Sequence, residues 1–211
     1  IRDVAVTGVQ TCALPICQTY VAILLAPTNI GRMENQGIDW DLRYRMNVPV
    51  GKLDLSLAGT YLTKSRYTMP GTDDQWTDSL GKFGVNDAVS FRNIMVASAT
   101  LSHGAFEHTL TAKYRSGYLD QAYTADDCMF YTDAGDCAAG RLSIHSYSTY
   151  DWRTAWNVNQ NLKLVFSVEN LLNTDPPRSL RVNGAGHQLG YDPRYASPYG
   201  RTYAIQGTYK F

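Results

Sequence analysis

The sequence predicts an all-β fold, an antiparallel meander of about seven membrane-crossing strands. Three observations carry that prediction. Apolar and polar residues alternate with a period of two along most of the chain, and the polar side is heavily charged, which suits a bilayer on one face and water on the other. The connections between these segments alternate between short and long. Fifteen tyrosines and four tryptophans in 211 residues gather towards segment ends, as interfacial aromatic girdles require. No apolar run approaches the roughly 18 residues of a spanning helix, so membrane crossing falls to strands.

Residues 1–17, IRDVAVTGVQTCALPIC, show neither period and differ in character from the rest of the chain. One reading is a signal peptide, with Arg2 before moderately apolar sequence, but Pro15 interrupts it and the basic region is a single residue. The stretch VTGVQTCALPI also resembles translated sequencing-adapter sequence, which is the preferred reading, and the segment is excluded from the fold. Residues 18–34 read as a loop or partial strand, because TYVAILLAPTNI lacks alternation.

From Asn35 the pattern is regular. Ile38, Trp40, Leu42, Tyr44, Met46 and Val48 share one face, against Asp39, Asp41, Arg43, Arg45 and Asn47. Pro49-Val50-Gly51 turns the chain, since Pro fixes φ and Gly tolerates positive φ. The second strand places Leu53, Leu55, Leu57, Gly59 and Tyr61 opposite Asp54, Ser56, Ala58 and Thr60. The third, Arg92 to Ser102, has no cleanly polar face. His103-Gly104-Ala105 then leads into a fourth, with Phe106, His108, Leu110, Ala112 and Tyr114 opposite Glu107, Thr109, Thr111, Lys113 and Arg115. A fifth, residues 144–158, sets Ile144, Tyr150, Trp152, Trp156 and Val158 against His145, Thr149, Asp151, Arg153 and Asn157. Asn159-Gln160-Asn161 turns into a sixth, where Leu162, Leu164, Phe166 and Val168 oppose Lys163, Ser167 and Glu169. In the last, Tyr203, Ile205, Gly207, Tyr209 and Phe211 face away from Thr202, Ala204, Gln206, Thr208 and Lys210.

The connections are residues 49–51, 65–91, 103–105, 119–143, 159–161 and 172–199. Three long loops count against a soluble sandwich. In outer-membrane barrels tight periplasmic turns and long extracellular loops are the rule.

Nineteen basic and nineteen acidic residues cancel, which points to no nucleic-acid or polybasic lipid partner. There is no G-x-S-x-G, phosphate loop, H-E-x-x-H or dinucleotide fingerprint, so no enzyme and no cofactor is indicated.

The stretches NIGRMENQGIDWDLRYRM at 30–46, VENLLNTDPP at 168–177 and GYDPRYASPYGRTYAIQGTYKF at 190–211 resemble the C-terminal barrel region of TonB-dependent outer-membrane receptors. The likeness covers most of residues 30–211. It implies that residues 35–211 are the C-terminal portion of a barrel of the roughly 22-stranded, plugged type, located in a Gram-negative outer membrane and contacting its lipid. It also implies an N-terminal plug and a TonB-type energy-coupling protein as partners of the intact protein, both absent from this sequence. The intact protein would import a scarce large substrate: a siderophore, haem, cobalamin or an oligosaccharide. A small passive porin-like barrel, or an outer-membrane barrel enzyme, are the rival readings.

The residues that carry the resemblance are Asn170, Leu171, Asp175, Pro176, Pro177, Gly190, Tyr191, Asp192, Pro193, Arg194, Tyr195, Gly200 and Arg201. Pro176 and Pro177 end strand pairing because neither donates a ladder hydrogen bond. Asp192 and Arg194 are expected to hydrogen-bond the barrel wall and anchor the last loop, with direct ligand contact by Tyr191, Arg194 or Tyr195 the sharper alternative. Tyr209 to Phe211 is the assembly signal that the resemblance implies. Arg43, Arg45, Lys113, Arg115 and Arg153 face inwards by parity. They are expected to contact plug or wall, or to steer an anionic ligand.

Cys128 and Cys137 fall in the 119–143 loop among Asp126, Asp127, Asp133 and Asp136. On an outer face a disulfide is expected. A metal is the alternative, but the cysteine spacing matches no zinc pattern and the acids miss the EF-hand spacing. His103, His108 and His187 read as turn, lipid-face and loop residues.

Overall fold

A computed structural model describes residues 7–8, 23–24, 31–69, 75–84, 88–181 and 190–211. The expectations for residues 1–17 and 18–30 and for His187 lie largely or wholly outside these residues. Thr7–Gly8 and Ile23–Leu24 form a two-residue antiparallel ladder.

Seven strands run as an antiparallel meander in chain order: β1 Met33–Val48, β2 Gly51–Thr68, β3 Asn93–His103, β4 Phe106–Arg115, β5 Tyr147–Asn157, β6 Leu162–Glu169 and β7 Thr202–Tyr209. Each pairs only with its chain neighbours along this path, and the short strand Trp76–Asp78 adds to the upper end of β2. Among the described residues the outer edges of β1 and β7 carry no partner strand.

Cross-strand partners share a face, so the register follows one side of the wall from strand to strand. Tyr44 lies opposite Leu55, Leu55 opposite Ala99, Ala99 opposite Leu110, Leu110 opposite Trp152, Trp152 opposite Val168, and Val168 opposite Tyr203. This apolar face remains uncovered: Ile38, Leu42, Tyr44, Leu57, Ile205 and Tyr209 are all exposed. A soluble sheet would bury such a row, whereas a barrel presents it to lipid. The opposite face is polar, and its charges pair. Arg43 bonds Asp41 at 2.8 Å, Arg45 bonds Asp54, and Arg153 lies 3.5 Å from Glu107.

The same register resolves β3, whose pattern is ambiguous in the sequence. Met95, Ala97, Ala99 and Leu101 follow the lipid face, while Ile94 and Val96 turn inwards opposite Arg115 and Lys113. Gly59 on β2 is required by packing, because a Cβ there would stand 2.7 Å from the Trp40 ring that lies across it.

Two differences from the predicted elements arise above the membrane. Residues 119–143 are not an irregular loop: Tyr118–Tyr123 pairs with Gly140–Ile144 as a hairpin that continues β4 and β5 outwards. Ile144 therefore belongs to this hairpin rather than to the lipid face, and it is 3% exposed. It packs with Val89, Phe91 and Tyr118 in a small apolar cluster that Phe83, Leu142 and Tyr195 extend. β2 likewise runs past Tyr61 to Thr68, through an irregularity opposite Gln36 and Gly37, a continuation that no alternation in the sequence marks.

Candidate functional site

The strand ends bring one constellation together. Lys113 and Arg115 end β4, Tyr147, Thr149 and Asp151 begin β5, Glu169 ends β6, and Thr202 begins β7. All face inwards by register. With Tyr191, Arg194, Tyr195 and Tyr199 of the last loop they line a cleft of about 600 Å³ at the mouth of the wall. A cleft of this size suits a sizeable small molecule.

The cations of the cleft are engaged. Lys113 Nζ lies 2.6 Å from Asp151, which also accepts the backbone N–H of Asn170 at 2.9 Å. Arg115 donates to the carbonyl of Tyr195. Arg194 holds Asp192 with Nε at 3.1 Å and Nη2 at 2.8 Å. Glu169 also lines the cleft, and among the described residues it makes no ion pair.

The last loop is fixed rather than draped. Asp192 is 3% exposed and its carbonyl accepts the N–H groups of Tyr195 and Ala196, closing a turn. Arg181 approaches the same residue's carboxylate at 3.5 Å. The Tyr195 hydroxyl accepts the Val89 N–H at 3.0 Å, and its ring meets Phe91 edge-on at 4.8 Å between centroids. The loop before it is tied to the outer hairpin: Asp120, fully buried, accepts Ser179 Oγ at 2.7 Å and Leu180 N at 2.8 Å, while Tyr123 donates to the Leu180 carbonyl. Burial, followed by the nearby Asp120 and Asp192 carboxylates, pushes the Tyr118 phenol well above its ordinary range.

The NLLNTDPP segment has a specific structural task. Asn170 and Asn173 sit at φ of 51° and 54°, a region that Asn tolerates better than most residues. The Asn170 amide bridges Thr174 in both directions at 2.9 Å. Asn173 Oδ1 accepts the Arg201 N–H at 2.9 Å, which joins the start of the last loop to its end. Gly200 is at φ 63°, and a Cβ there would stand 2.7 Å from that Asn173 oxygen.

Of the residues singled out from sequence, Lys113, Arg115, Tyr191 and Arg194 meet in the cleft, and Asn170, Pro193, Tyr195 and Gly200 complete its rim. Arg43, Arg45 and Arg153 do not line it. They lie lower on the inner wall, each paired with a carboxylate. Asp192 binds Arg194 and Arg181 within the loops, and Arg115 donates from the wall to the Tyr195 carbonyl. Leu171 N bonds the Tyr150 carbonyl, and Pro177 packs near Asp192 and Tyr195. Tyr209 and Phe211 stack edge to face at 5.2 Å, with Lys210 bonded to Asn161 in both directions beside them. Cys128 and Cys137 are joined across the hairpin tip at a Cα separation of 4.8 Å. Sequence reasoning missed Asp120, Ser179 and Arg181, because pairing between distant loops leaves no local pattern. It also missed the role of Asn173, although an Asn shortly after a strand does signal a left-handed turn.

A family model described as TonB dependent receptor-like, beta-barrel matches residues 1–171. No curated protein sequence matches the chain. Among solved structures, the siderophore receptor PiuA from Acinetobacter baumannii aligns at 18% identity and a TM-score of 0.47, over 85% of this chain and 22% of its own. A mutant of the ferric enterobactin receptor PfeA from Pseudomonas aeruginosa aligns at 16% identity and a TM-score of 0.46, over 83% of this chain and 22% of its own. The chain thus spans about a fifth of the length of these two receptors.

Proposed function

Because the chain belongs to the TonB-dependent receptor β-barrel family, whose members are outer-membrane receptors of Gram-negative bacteria rather than enzymes, we propose that the intact protein imports a scarce, bulky, polar substrate by energised transport. The seven strands supply part of its wall, and the cleft under the last loop contributes to the outer binding site. The observation that carries this reading is the placement of the cleft. It lies on the inner face, at the long-loop end, and is lined by tyrosines with hydrogen-bonding side chains between them.

The charge arrangement supports a particular mode of contact. Cations that are already satisfied offer an arriving ligand hydrogen bonds more than net charge, since an incoming anion must compete with Asp151 and Asp192 for them. Tyr191 and Tyr199 add flat, amphipathic surface at low entropic cost. A siderophore, haem, cobalamin and an oligosaccharide all fit such a wall. A TonB-type coupling protein and a plug complete the machine in this reading.

The test is uptake by cells expressing the full-length receptor. Labelled ferric siderophores, haem, cobalamin and oligosaccharides are offered with and without the coupling protein. One class accumulates only when coupling is intact, and a Tyr191→Ala, Arg115→Gln variant then requires about tenfold more of it for half-maximal uptake. Accumulation that is indifferent to the coupling protein would replace this reading with passive diffusion.

A further inference from the structure

A second polar group lies on the other side of the wall, where only lipid is expected. Glu34, Gln36, Ile38 and Trp40 follow one another at every second position of β1 and so share the lipid-facing side. From Ile38 to Val48 the apolar row spans about 23 Å at a strand tilt near 45°, close to the roughly 25 Å of an outer-membrane apolar band. Gln36 and Glu34 are the next two positions beyond it, at the end that carries the long loops. That height is the headgroup layer of the outer leaflet.

Two cations from β2 converge there. Lys64 Nζ lies 2.7 Å from one oxygen of Glu34, and Arg66 Nε donates to the other at 2.7 Å. Gln36 bonds the same carboxylate at 2.9 Å. The Arg66 guanidinium stacks on the Trp76 ring at 4.2 Å, which fixes its plane. The neighbouring Asp78 is taken by Lys82 at 2.9 Å, so the group as a whole carries one surplus positive charge. Glu34 accounts for one of the three N–H donors of Lys64 and at most two of the five of Arg66. The rest have no partner among the described residues.

A pre-oriented Lys-Arg pair with spare donors, next to an indole at the membrane interface, has the chemistry of a phosphate site. We infer that Lys64, Arg66 and Trp76 bind the phosphate of a lipid in the outer leaflet, with Glu34 positioning the two cations and the apolar row below receiving the acyl chains. The inference rests on the membrane orientation of the wall and is independent of the substrate imported through it. The zero net charge of the chain does not oppose it, because the site depends on local placement. Its function is to fix the height of the wall and recruit lipid around it.

The test uses the full-length receptor in nanodiscs and native mass spectrometry, with lipid A, a bis-phosphorylated glycolipid, as the probe. Wild-type receptor is expected to retain lipid A at least tenfold better than lipid A stripped of both phosphates. Lys64→Gln, Arg66→Gln is expected to lose that preference, while Lys163→Gln, the loss of a single cation on the inner face, keeps it. Equal retention of the two lipids by wild-type receptor overturns the inference without reference to any variant. So does undiminished preference in the double variant, or displacement of lipid A by millimolar inorganic phosphate, which would mark a simple anion site. Substrate uptake is measured in parallel, so failure here leaves the transport reading standing or falling by its own result.

Discussion

Placing one arginine at two adjacent positions of β2 should give opposite outcomes. Leu57 is exposed on the apolar face, opposite Leu42 and Ala97, near the middle of the row that runs from Leu53 to Tyr61. Ser56, one residue away, faces inwards and bonds Ser98 Oγ at 2.8 Å. An arginine at the lipid midplane costs about 2–4 kcal/mol, which is roughly a 30- to 1000-fold loss in the folding equilibrium. At Ser56 the new guanidinium enters a watery, charge-lined lumen, and the loss is one neutral hydrogen bond, about 0.5–1.5 kcal/mol. Leu57→Arg should therefore exceed Ser56→Arg by at least about 0.5 kcal/mol, and by about 2 kcal/mol at the middle of the two ranges. Nearer the periplasmic end the penalty fades, so Leu164→Arg should be milder than Leu57→Arg but still worse than Lys163→Leu on the other face. The assay is reversible urea unfolding of the full-length receptor in lipid vesicles. Equal destabilisation by Leu57→Arg and Ser56→Arg, or the reverse order, would refute the assignment of the two faces.

The loops supply three further predictions. Tyr195→Phe leaves the Val89 N–H without its acceptor, at a cost of about 1–3 kcal/mol. Hydrogen exchange should rise in residues 88–91 and 190–200 while the strands stay protected. Replacing Cys128 and Cys137 by Ser opens a short closed loop worth about 2–3 kcal/mol on the chain-entropy model, so external protease should cut the hairpin tip sooner without shifting barrel unfolding. The hydrogen bond from Lys82 holds the Asp78 carboxyl below its usual range. A depressed folded-state value gives stability that is complete above the ordinary carboxylate range and lost as pH falls through the depressed one. Exchange in residues 75–84 should therefore be flat at neutral pH and increase only below about pH 4. Lys82→Gln should abolish that step.

What the sequence displayed and what it concealed divide by the range of the interactions. β1, β2 and β4 to β7 were visible because the bilayer makes each strand choose its faces independently, and period two records that choice locally. β3 was visible as a strand but its two faces were not, because small residues such as Ala97 and Ala99 satisfy either face, and only pairing with Leu57 and Leu110 decides. The outer hairpin read as loop for a related reason. It stands above the membrane, where no lipid enforces alternation, and its buried side turns towards other loops instead. The candidate cleft was half legible: Lys113 and Arg115 were placed inwards by parity, and Tyr191 and Arg194 by resemblance. The partners of the last loop were not, since Asp120 and Val89 meet its Ser179 and Tyr195 from segments distant in sequence. The triad of Glu34, Lys64 and Arg66 stayed hidden because the irregularity between Gln36 and Gly37 resets the parity of β2.

The central claim is that one face of this wall touches lipid and the other faces the lumen. A nitroxide scan of β1 from Ile38 to Val48 in the reconstituted full-length receptor tests it directly, by collision with oxygen, which concentrates in lipid, and with a water-soluble nickel chelate. Oxygen contact should peak at 38, 40, 42, 44, 46 and 48 and nickel contact at 39, 41, 43, 45 and 47, with a period of two throughout. Uniform contact with either reagent, or a period near 3.6, would contradict it.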